Sequence, residues 1–394
     1  MREPVSAETP LKGPEPIATD SAGIAQILRT AVQEGASDLH FKAGEPVLVR
    51  IKGNLLPLKV ARLTPDATLR VFEALRPRHL AHVAGNEVQE IDFSFALSGT
   101  GRFRVNGFRQ RGSLALVIRV IPQRIPDFKE LGLPEAMPKL ADERRGLILV
   151  TGTTGSGKST TLAAMINHIN HTRTSHVVTI EDPIEFLFLN KKSSVVQREI
   201  GVDTGSFAAA LRAVLRQDPD VVMIGEMRDT ETIDIAMKAA ETGHLVISTA
   251  HTTDAAKTVQ RILAVFAPSE QAMMRIRLAE SLRAVISQRL LPRLDGKGLV
   301  PAIELMVNTR VIQECIREPE RTQEITDFVS KGRHYGMQTF DQHLFAMLQE
   351  GLISKEVALS AATSPADLDL QIRMGGTVEE MSIERADYAS MSEY

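Results

Sequence analysis

A glycine-rich stretch at residues 152–159 constrains the fold of this chain more than any other feature of its sequence. It follows an apolar run of strand length at 147–151 and precedes a helix-forming segment at 160–169. In that context the pattern G-x-x-x-x-G-K-[ST] predicts a phosphate-binding loop, because glycines let backbone amides surround an anion and the following helix N-terminus adds positive potential. Lys158 would hold the outer phosphates, and the Ser159 hydroxyl would reach a magnesium ion. The predicted nucleotide-binding residues are Gly152, Thr153, Thr154, Gly155, Ser156, Gly157, Lys158, Ser159 and Thr160.

The composition bounds the architecture and the setting of the chain. With 394 residues, of which 43% are apolar, it is long enough for two domains with separate cores. A net charge of -3 gives no general attraction to nucleic acid. The single cysteine, Cys315, excludes an internal disulfide and a cysteine-cluster zinc site, and it favours a cytoplasmic location. No apolar run approaches the roughly 20 residues of a membrane span, so membrane contact is expected only through a partner.

Two changes of pattern divide the chain into folded parts and connecting segments. Short alternating strands and helical stretches give way to a segment with proline and charge but no long period, and then to apolar strands that alternate with helices. The expected segments of this α/β protein are a flexible leader (1–20), a small α+β domain (21–121), a linker (122–145), a parallel α/β nucleotide domain (146–310), a helical appendage (311–375) and a disordered tail (376–394). Within them we expect a strand at 55–60 and helices at 78–83 and 320–330.

Two carboxylate sites could orient the water that attacks a bound triphosphate, which a phosphate loop cannot do by itself. Glu226 follows an apolar strand whose carboxyl end should open beside the loop, and we predict that it polarises the water. Gly225 stands where a strand-end aspartate is usual, so Mg²⁺ would need Ser159, waters and a carboxylate from elsewhere. Residues 181–185 bring three carboxylates together, either as a solvated acidic loop or as part of the site. Glu185 is the residue predicted to contact the metal or the water.

Histidines and arginines supply further candidates. His244 begins a predicted strand and His251 lies just past its end. A lone histidine is more often structural, but one flanked by hydroxyls at a strand end can hydrogen-bond a γ-phosphate, so His251 is the better sensor candidate. Arginine is dense in the first domain, where it forms either a solvated strand face or an arginine finger for a neighbouring site. The arginines in question are Arg102, Arg104, Arg109, Arg111 and Arg119.

Beyond these motifs, the chain resembles the secretion-type traffic ATPases, and within them the PilT-type retraction motors of type IV pili. The stretches that carry the resemblance are residues 35–40, 101–106, 179–186, 218–229, 240–246 and 336–341. The resemblance implies a PAS-like N-terminal domain joined to a RecA-like ATPase domain, assembled as a homohexamer. It assigns the acidic loop to an aspartate box, Glu226 to a Walker B motif in which the preceding glycine is usual, and His244 and His251 to a histidine box. Arg104 and Arg119 match the family arginines that reach the nucleotide.

The same resemblance implies a function. It is that of an ATP-hydrolysing, Mg²⁺-dependent motor that powers pilus retraction and twitching motility. Such a motor is cytoplasmic, lies peripherally at the inner membrane below the pilus, and acts on a membrane platform protein. Two departures leave an alternative open. Residues 311–318 keep only the end of the Ala-Ile-Arg-Asn-Leu-Ile-Arg-Glu segment of the main motors, and the helical tail at 365–374 resembles PilU-type accessory proteins more than the main motors. The chain could instead be an accessory PilU-like subunit that binds nucleotide and supports a paralogous retraction ATPase.

Two other functions are less favoured by the sequence. Pilus extension and type II secretion ATPases of the superfamily usually carry a tetracysteine zinc site and a longer N-terminal region, whereas this chain has one cysteine and 394 residues. A hexameric nucleic-acid translocase would need a basic central loop with aromatic residues. The chain contains no tryptophan and only 4% aromatic residues, so no nucleic-acid partner is expected.

Overall fold

The computed structural model describes residues 21–375, so the predicted leader and tail lie outside the described residues. The chain divides into two compact units, one ending at Gln123 and the other beginning at Arg124. Within the described residues, no helix has both the length and the apolar character that crossing a bilayer requires.

The first unit is an antiparallel sheet with helices packed against one of its faces. Its elements are α1 (Ser21–Gln33), β1 (Ala36–Phe41), β2 (Leu48–Ile51), β3 (Asn54–Pro57), α2 (Pro65–Leu75), β4 (Glu90–Leu97), β5 (Gly101–Gln110) and β6 (Ser113–Val120). The six strands lie in the order β3-β2-β1-β6-β5-β4. Alternation along β5 shows the two faces, because Phe103 and Val105 lie in the core with the helices while Arg104 between them is exposed. The predicted α+β domain is therefore present.

Two local predictions in this unit are wrong. The strand expected at 55–60 is the shorter β3, which ends at Pro57. The helix expected at 78–83 is only a three-residue 3₁₀ turn, Arg78–Leu80, with no buried residue. A short helix without a buried face gains no packing energy, so it does not extend.

The second unit is built on a mostly parallel sheet covered by helices on both faces. Its elements are α3 (Met137–Ala141), β7 (Gly146–Thr151), α4 (Lys158–Thr172), β8 (His176–Glu181), β9 (Ser194–Glu199), α5 (Phe207–Val214), β10 (Val221–Ile224), α6 (Thr230–Glu241), β11 (Leu245–Ala250), α7 (Ala255–Leu263), α8 (Pro268–Ser281), β12 (Leu282–Pro292), β13 (Leu299–Val307), α9 (Arg310–Arg317), α10 (Ile325–Lys331), α11 (Phe340–Gln349), α12 (Lys355–Ala361) and α13 (Pro365–Met374). The seven strands lie in the order β13-β12-β7-β11-β10-β8-β9, and only β13 runs antiparallel to its neighbour. The carboxyl ends of β7, β8, β10 and β11 therefore meet at one edge.

The segment expected as a linker differs from that prediction, because much of it packs into the core of the second unit. Phe128, Leu133, Met137 and Leu140 are buried against the helix and strands around the glycine-rich loop. Their spacing is irregular, so neither a helical nor a strand period reveals them in the sequence.

The helical appendage also begins inside the second unit rather than outside it. Ile312 of α9 and Val329 of α10 belong to the same core as β7 and β10. The helix expected at 320–330 is a 3₁₀ segment, Pro319–Glu324, followed by α10. Helices α11 to α13 form a separate apolar cluster against the ends of β12 and β13. Strands β9 and β12 are absent from the sequence-based prediction.

Candidate nucleotide-binding site

The glycine-rich loop leaves the carboxyl end of β7, which is buried along its whole length between β11 and β12. Gly152, Gly155 and Gly157 have φ angles of 145°, 80° and 88°, which are open to glycine and strained for other residues. At Gly152 a Cβ would also lie 2.4 Å from the Ser156 Oγ and 2.5 Å from the backbone oxygen of Gln288. The loop is therefore closed tightly on itself and on β12, and α4 starts directly after it.

The Lys158 ammonium group is buried at the centre of this loop. It donates hydrogen bonds to the carbonyl oxygens of Gly152 and Thr153, at 2.9 and 2.8 Å. Burial lowers the pKa of Lys158, and the carboxylates of Glu185 and Glu226 oppose that shift. A phosphate that enters the loop can replace the two carbonyls as the acceptor of these hydrogen bonds, and it would form stronger, charge-assisted ones.

A cavity of about 630 Å³ opens above the loop at the carboxyl edge of the sheet. This volume suits a small-molecule ligand, and the edge is where parallel α/β sheets bind ligands. The predicted loop residues that line it are Thr154, Gly155, Gly157, Lys158, Ser159 and Thr160. The other three shape the loop instead, because Gly152 and Thr153 hold the lysine and Ser156 is buried beneath.

Glu226 follows β10 and lines the same cavity, where its carboxylate has two basic neighbours. Its Oε2 lies 2.7 Å from Arg228 Nη2 and 3.6 Å from His251 Nε2. A Cβ at Gly225 would lie 3.3 Å from the Ile180 carbonyl oxygen, a tight contact with β8 that favours a small residue before the glutamate. No role of Arg228 is predicted from the sequence, where its position two residues after Glu226 is the one indication that it belongs to the site.

The acidic segment at the end of β8 contributes three carboxylates to the lining of the cavity, those of Glu181, Asp182 and Glu185, and the first of them is buried. Glu181 accepts hydrogen bonds from Thr179 Oγ1 at 2.6 Å, from Gln197 Nε2 at 3.0 Å and from the Glu185 backbone N–H at 3.4 Å. Burial raises the pKa of Glu181, although these hydrogen bonds oppose the shift. Both Glu181 oxygens therefore already accept hydrogen bonds from the protein. Glu185 lies in the same lining, and its carboxylate can bind a metal or a water.

The donor set of the cavity suits a magnesium ion that arrives with a nucleotide. Among residues 21–375, no group of three or more histidine, cysteine, aspartate or glutamate side chains could hold a metal by itself. Mg²⁺ usually binds through one or two protein oxygens together with phosphate oxygens and water. The Ser159 hydroxyl and the Glu185 carboxylate both line the cavity and provide such a partial set.

The two predicted histidines lie at opposite ends of β11. His251 follows the carboxyl end and lines the cavity beside Glu226. His244 precedes the amino end, where its Nδ1 lies 2.9 Å from the carbonyl oxygen of Ala239 and 3.3 Å from Thr242 Oγ1. Six strand residues span roughly 20 Å, so His244 does not reach the cavity of its own chain.

The two candidate arginines are exposed residues of the first unit, whereas the residues that line the cavity all belong to the second. Arg104 and Arg119 are paired directly across β5 and β6. Asp38 accepts a hydrogen bond from Arg119 Nε at 2.9 Å, and Asp92 lies 3.8 Å from Arg104 Nε. Burial opposes ionisation of Asp38, but hydrogen bonds from Arg119 and a neighbouring serine lower its pKa. Arg109 instead donates to backbone carbonyls of its own unit, as a structural residue does.

Comparison with known proteins extends these observations. Residues 15–339 match the family model described as "Type II/IV secretion system protein". The chain is 44% identical over 343 residues to the type IV pilus retraction ATPase PilT of Pseudomonas aeruginosa, covering 87% of this chain and 98% of that protein. It is 41% identical over 354 residues to the type IV pilus ATPase PilU of the same organism, with coverages of 89% and 91%. A crystal structure of the pilus retraction motor PilT with bound ADP matches with a TM-score of 0.79 at 46% identity, covering 88% of this chain and 98% of that one.

These matches bear on the fold and on the family of the chain. They confirm the predicted fold class, a PAS-like α+β domain and a RecA-like ATPase domain with C-terminal helices. They also confirm the resemblance to the PilT-type branch. This chain belongs to the family of type II/IV secretion system proteins.

Proposed function

We propose that this chain is an ATP-hydrolysing motor subunit that powers the retraction of type IV pili. One observation carries the proposal: Lys158, Glu185 and Glu226 line a single cavity in a chain that is 44% identical to a pilus retraction ATPase over 87% of its length. The crystal structure of a relative with bound ADP supports a nucleotide as the ligand of this cavity. ATP bound with Mg²⁺ would be the substrate.

Each cavity residue has one role in the proposed hydrolysis. Lys158 exchanges its two carbonyl partners for oxygens of the outer phosphates. Glu226 orients the attacking water and accepts its proton, and His251 can hydrogen-bond the γ-phosphate and respond to its loss. Ser159 and Glu185 would hold Mg²⁺, which neutralises charge on the transferring phosphoryl group when it is bound.

The arginines of the first unit provide the mechanical part of the proposal. Arg104 and Arg119 present two guanidinium groups side by side, and such groups suit phosphate oxygens. In a homohexamer they would reach the nucleotide of an adjacent subunit, so that hydrolysis would release one subunit from the next. Sequential release around the ring would act on an inner-membrane platform protein from the cytoplasmic side, and pilin subunits would leave the base of the fibre.

A second candidate function is an accessory ring subunit that supports a paralogous retraction motor. The 41% identity to PilU favours it, as does α9, where residues 311–318 keep only the end of the segment typical of the main motors. ATP hydrolysis by the purified protein alone separates the two functions. The motor turns over ATP without a partner, and the accessory subunit needs its paralogue.

Complementation of a deletion strain tests the proposed function in cells. The parent chain and the variants Glu226→Gln and Glu350→Gln are expressed, and twitching and surface pili are measured. Glu350 is an exposed residue just after α11 and serves as the matched control. We expect the parent and Glu350→Gln to restore movement, and Glu226→Gln to leave immobile cells with excess pili. Cells without pili after deletion would contradict retraction, and movement restored by Glu226→Gln would favour the accessory function.

A further inference from the structure

Glu304 is a buried carboxylate in the second unit to which the proposed hydrolysis step gives no role. It lies on β13, is 5% exposed, and accepts a hydrogen bond at 2.8 Å from the backbone N–H of Ala255. Ala255 is the first residue of α7, so this N–H has no partner within the helix. A negative charge at that position is also favoured by the helix dipole. The side chain of Glu304 therefore links the start of α7 to β13 through this hydrogen bond.

The start of α7 is connected to the cavity by a short loop that carries His251. Three residues separate His251 from α7, and the last of them, Asp254, caps the helix by accepting the Lys257 backbone N–H at 2.8 Å. At the other end of the loop, His251 Nε2 lies 3.6 Å from Glu226 Oε2. Because only three residues join His251 to the helix, we expect a displacement of Ala255 to shift the imidazole.

Charged groups on three other elements face Glu304. They are Asp254 at the head of α7, Arg289 on β12 and Asp341 on α11. Burial is the main cause that raises the pKa of Glu304 to about 7; the two aspartates add to it, while the α7 N–H and Arg289 oppose it. His343 of α11 lies beside the same strand, and burial lowers its pKa to about 4, so it stays neutral where Glu304 titrates.

We propose that Glu304 is a positioning residue for ATP hydrolysis: its ionised carboxylate fixes the start of α7 and thereby holds His251 against Glu226. The inference rests on the proposed function, because it concerns the same hydrolysis step. A neutral side chain at position 304 can still accept the Ala255 N–H, but hydrogen bonds to an ionised group are roughly twice as strong. Loss of the charge therefore loosens the loop while the contact remains. It lowers kcat and leaves the KM for ATP nearly unchanged.

The test compares the pH dependence of ATP hydrolysis by the full chain and by Glu304→Gln, with Glu350→Gln as the exposed control. At pH 6 the carboxyl group of the parent is mostly neutral, so parent and Glu304→Gln should have similar kcat values. At pH 8.5 the parent is ionised and should be about three- to tenfold faster. In the ratio of the two kcat values, the pH dependence that comes from groups present in both proteins cancels. A ratio that does not change with pH, or a loss confined to KM, overturns the proposal.

Two further variants make the outcome decisive. Ala255→Pro removes the N–H donor at the first helical position, where proline is well tolerated, and it should lower kcat at pH 8.5 without changing helix content. This variant tests the same hydrogen bond if Glu304→Gln does not fold. In a His251→Gln background, Glu304→Gln should have no further effect on kcat, because the residue that it positions is gone. Independent, multiplicative effects of the two substitutions would contradict the proposal.

Failure of this inference can be told apart from failure of the proposed function. If Glu226→Gln loses turnover while the Glu304 ratio is independent of pH, the hydrolysis step stands and only the positioning role falls. If Glu226→Gln turns over ATP like the parent, the proposed function itself falls.

Discussion

Gly152 and Gly155 both have positive φ angles, 145° and 80°, but their surroundings differ. Alanine at either position costs about 1–2 kcal/mol of backbone strain. A Cβ at Gly155 meets no atom within 4 Å, whereas a Cβ at Gly152 lies 2.4 Å from the Ser156 Oγ and 2.5 Å from the Gln288 carbonyl oxygen. Overpacking of this kind adds about 1–3 kcal/mol. Alanine at Gly155 therefore measures backbone strain alone, and alanine at Gly152 measures backbone strain together with steric overlap.

We expect Gly152→Ala to lower the free energy of unfolding by about 2–5 kcal/mol and Gly155→Ala by about 1–2 kcal/mol. The chain has no tryptophan, so urea unfolding without nucleotide is followed by far-ultraviolet circular dichroism, and midpoints are compared at equal m-values. Omitting the nucleotide keeps effects on ligand binding out of the comparison. If Gly155→Ala proved as destabilising as Gly152→Ala, the tight closure of the loop on β12 would be refuted.

Three other predictions concern the C-terminal helices and the loop lysine. Because burial lowers the pKa of His343 from 6.5 to about 4, the unfolded chain takes up this proton first as the pH falls. In thermal denaturation, the free energy of unfolding of the parent should therefore fall by up to about 3 kcal/mol between pH 6.5 and 4, and that of His343→Gln should fall less. Equal decreases would contradict this. Lys158→Ala should weaken the binding of a fluorescent ATP analogue about ten- to hundredfold in a titration, because a charge-assisted contact is lost. Unchanged affinity would argue against the loop as the binding site. Thr339→Ala removes the hydroxyl that accepts a hydrogen bond from the Gln342 N–H at 3.3 Å, and it should lower the free energy of unfolding in urea by about 1 kcal/mol. The affinity for the analogue should not change, and weaker binding would contradict a purely local role of this helix cap.

The sequence is most informative where one physical requirement dominates. Strands β7, β10 and β11 are buried on both faces, so they read as continuous apolar runs and predict a parallel sheet. Residues that follow such strands meet at one edge. For that reason Glu226, Glu185 and His251 can be predicted as neighbours of the glycine-rich loop without a structure.

Strand β12 shows why other parts cannot be predicted. Its polar residues interrupt the apolar pattern, yet Ser287 and Gln288 are buried and form hydrogen bonds with neighbouring elements. Ser287 Oγ lies 2.9 Å from Thr151 Oγ1, and Gln288 Nε2 donates to Thr161 Oγ1 at 2.9 Å. Hydropathy counts such residues as exposed, because it does not include tertiary hydrogen bonds.

The candidate site shows the same division between local and tertiary signals. His244 precedes β11 and His251 follows it, and the cavity at the carboxyl edge of the sheet is lined by His251 alone of the two, as the strand-end argument predicts. Glu304 owes its position to a contact across the fold, with the start of α7. That contact follows from no local pattern, whereas Arg228 lies only two residues from the Glu226 that it contacts.

Steady-state ATP turnover by the purified Glu226→Gln variant tests the central claim most directly. Nucleotide affinity is measured on the same samples, and Glu350→Gln reports the effect of the same chemical change on an exposed surface. The account predicts that Glu226→Gln binds ATP as the parent does while its kcat falls about a hundredfold or more, and that Glu350→Gln matches the parent. A Glu226→Gln protein that binds ATP and hydrolyses it within a few-fold of the parental rate would contradict the account.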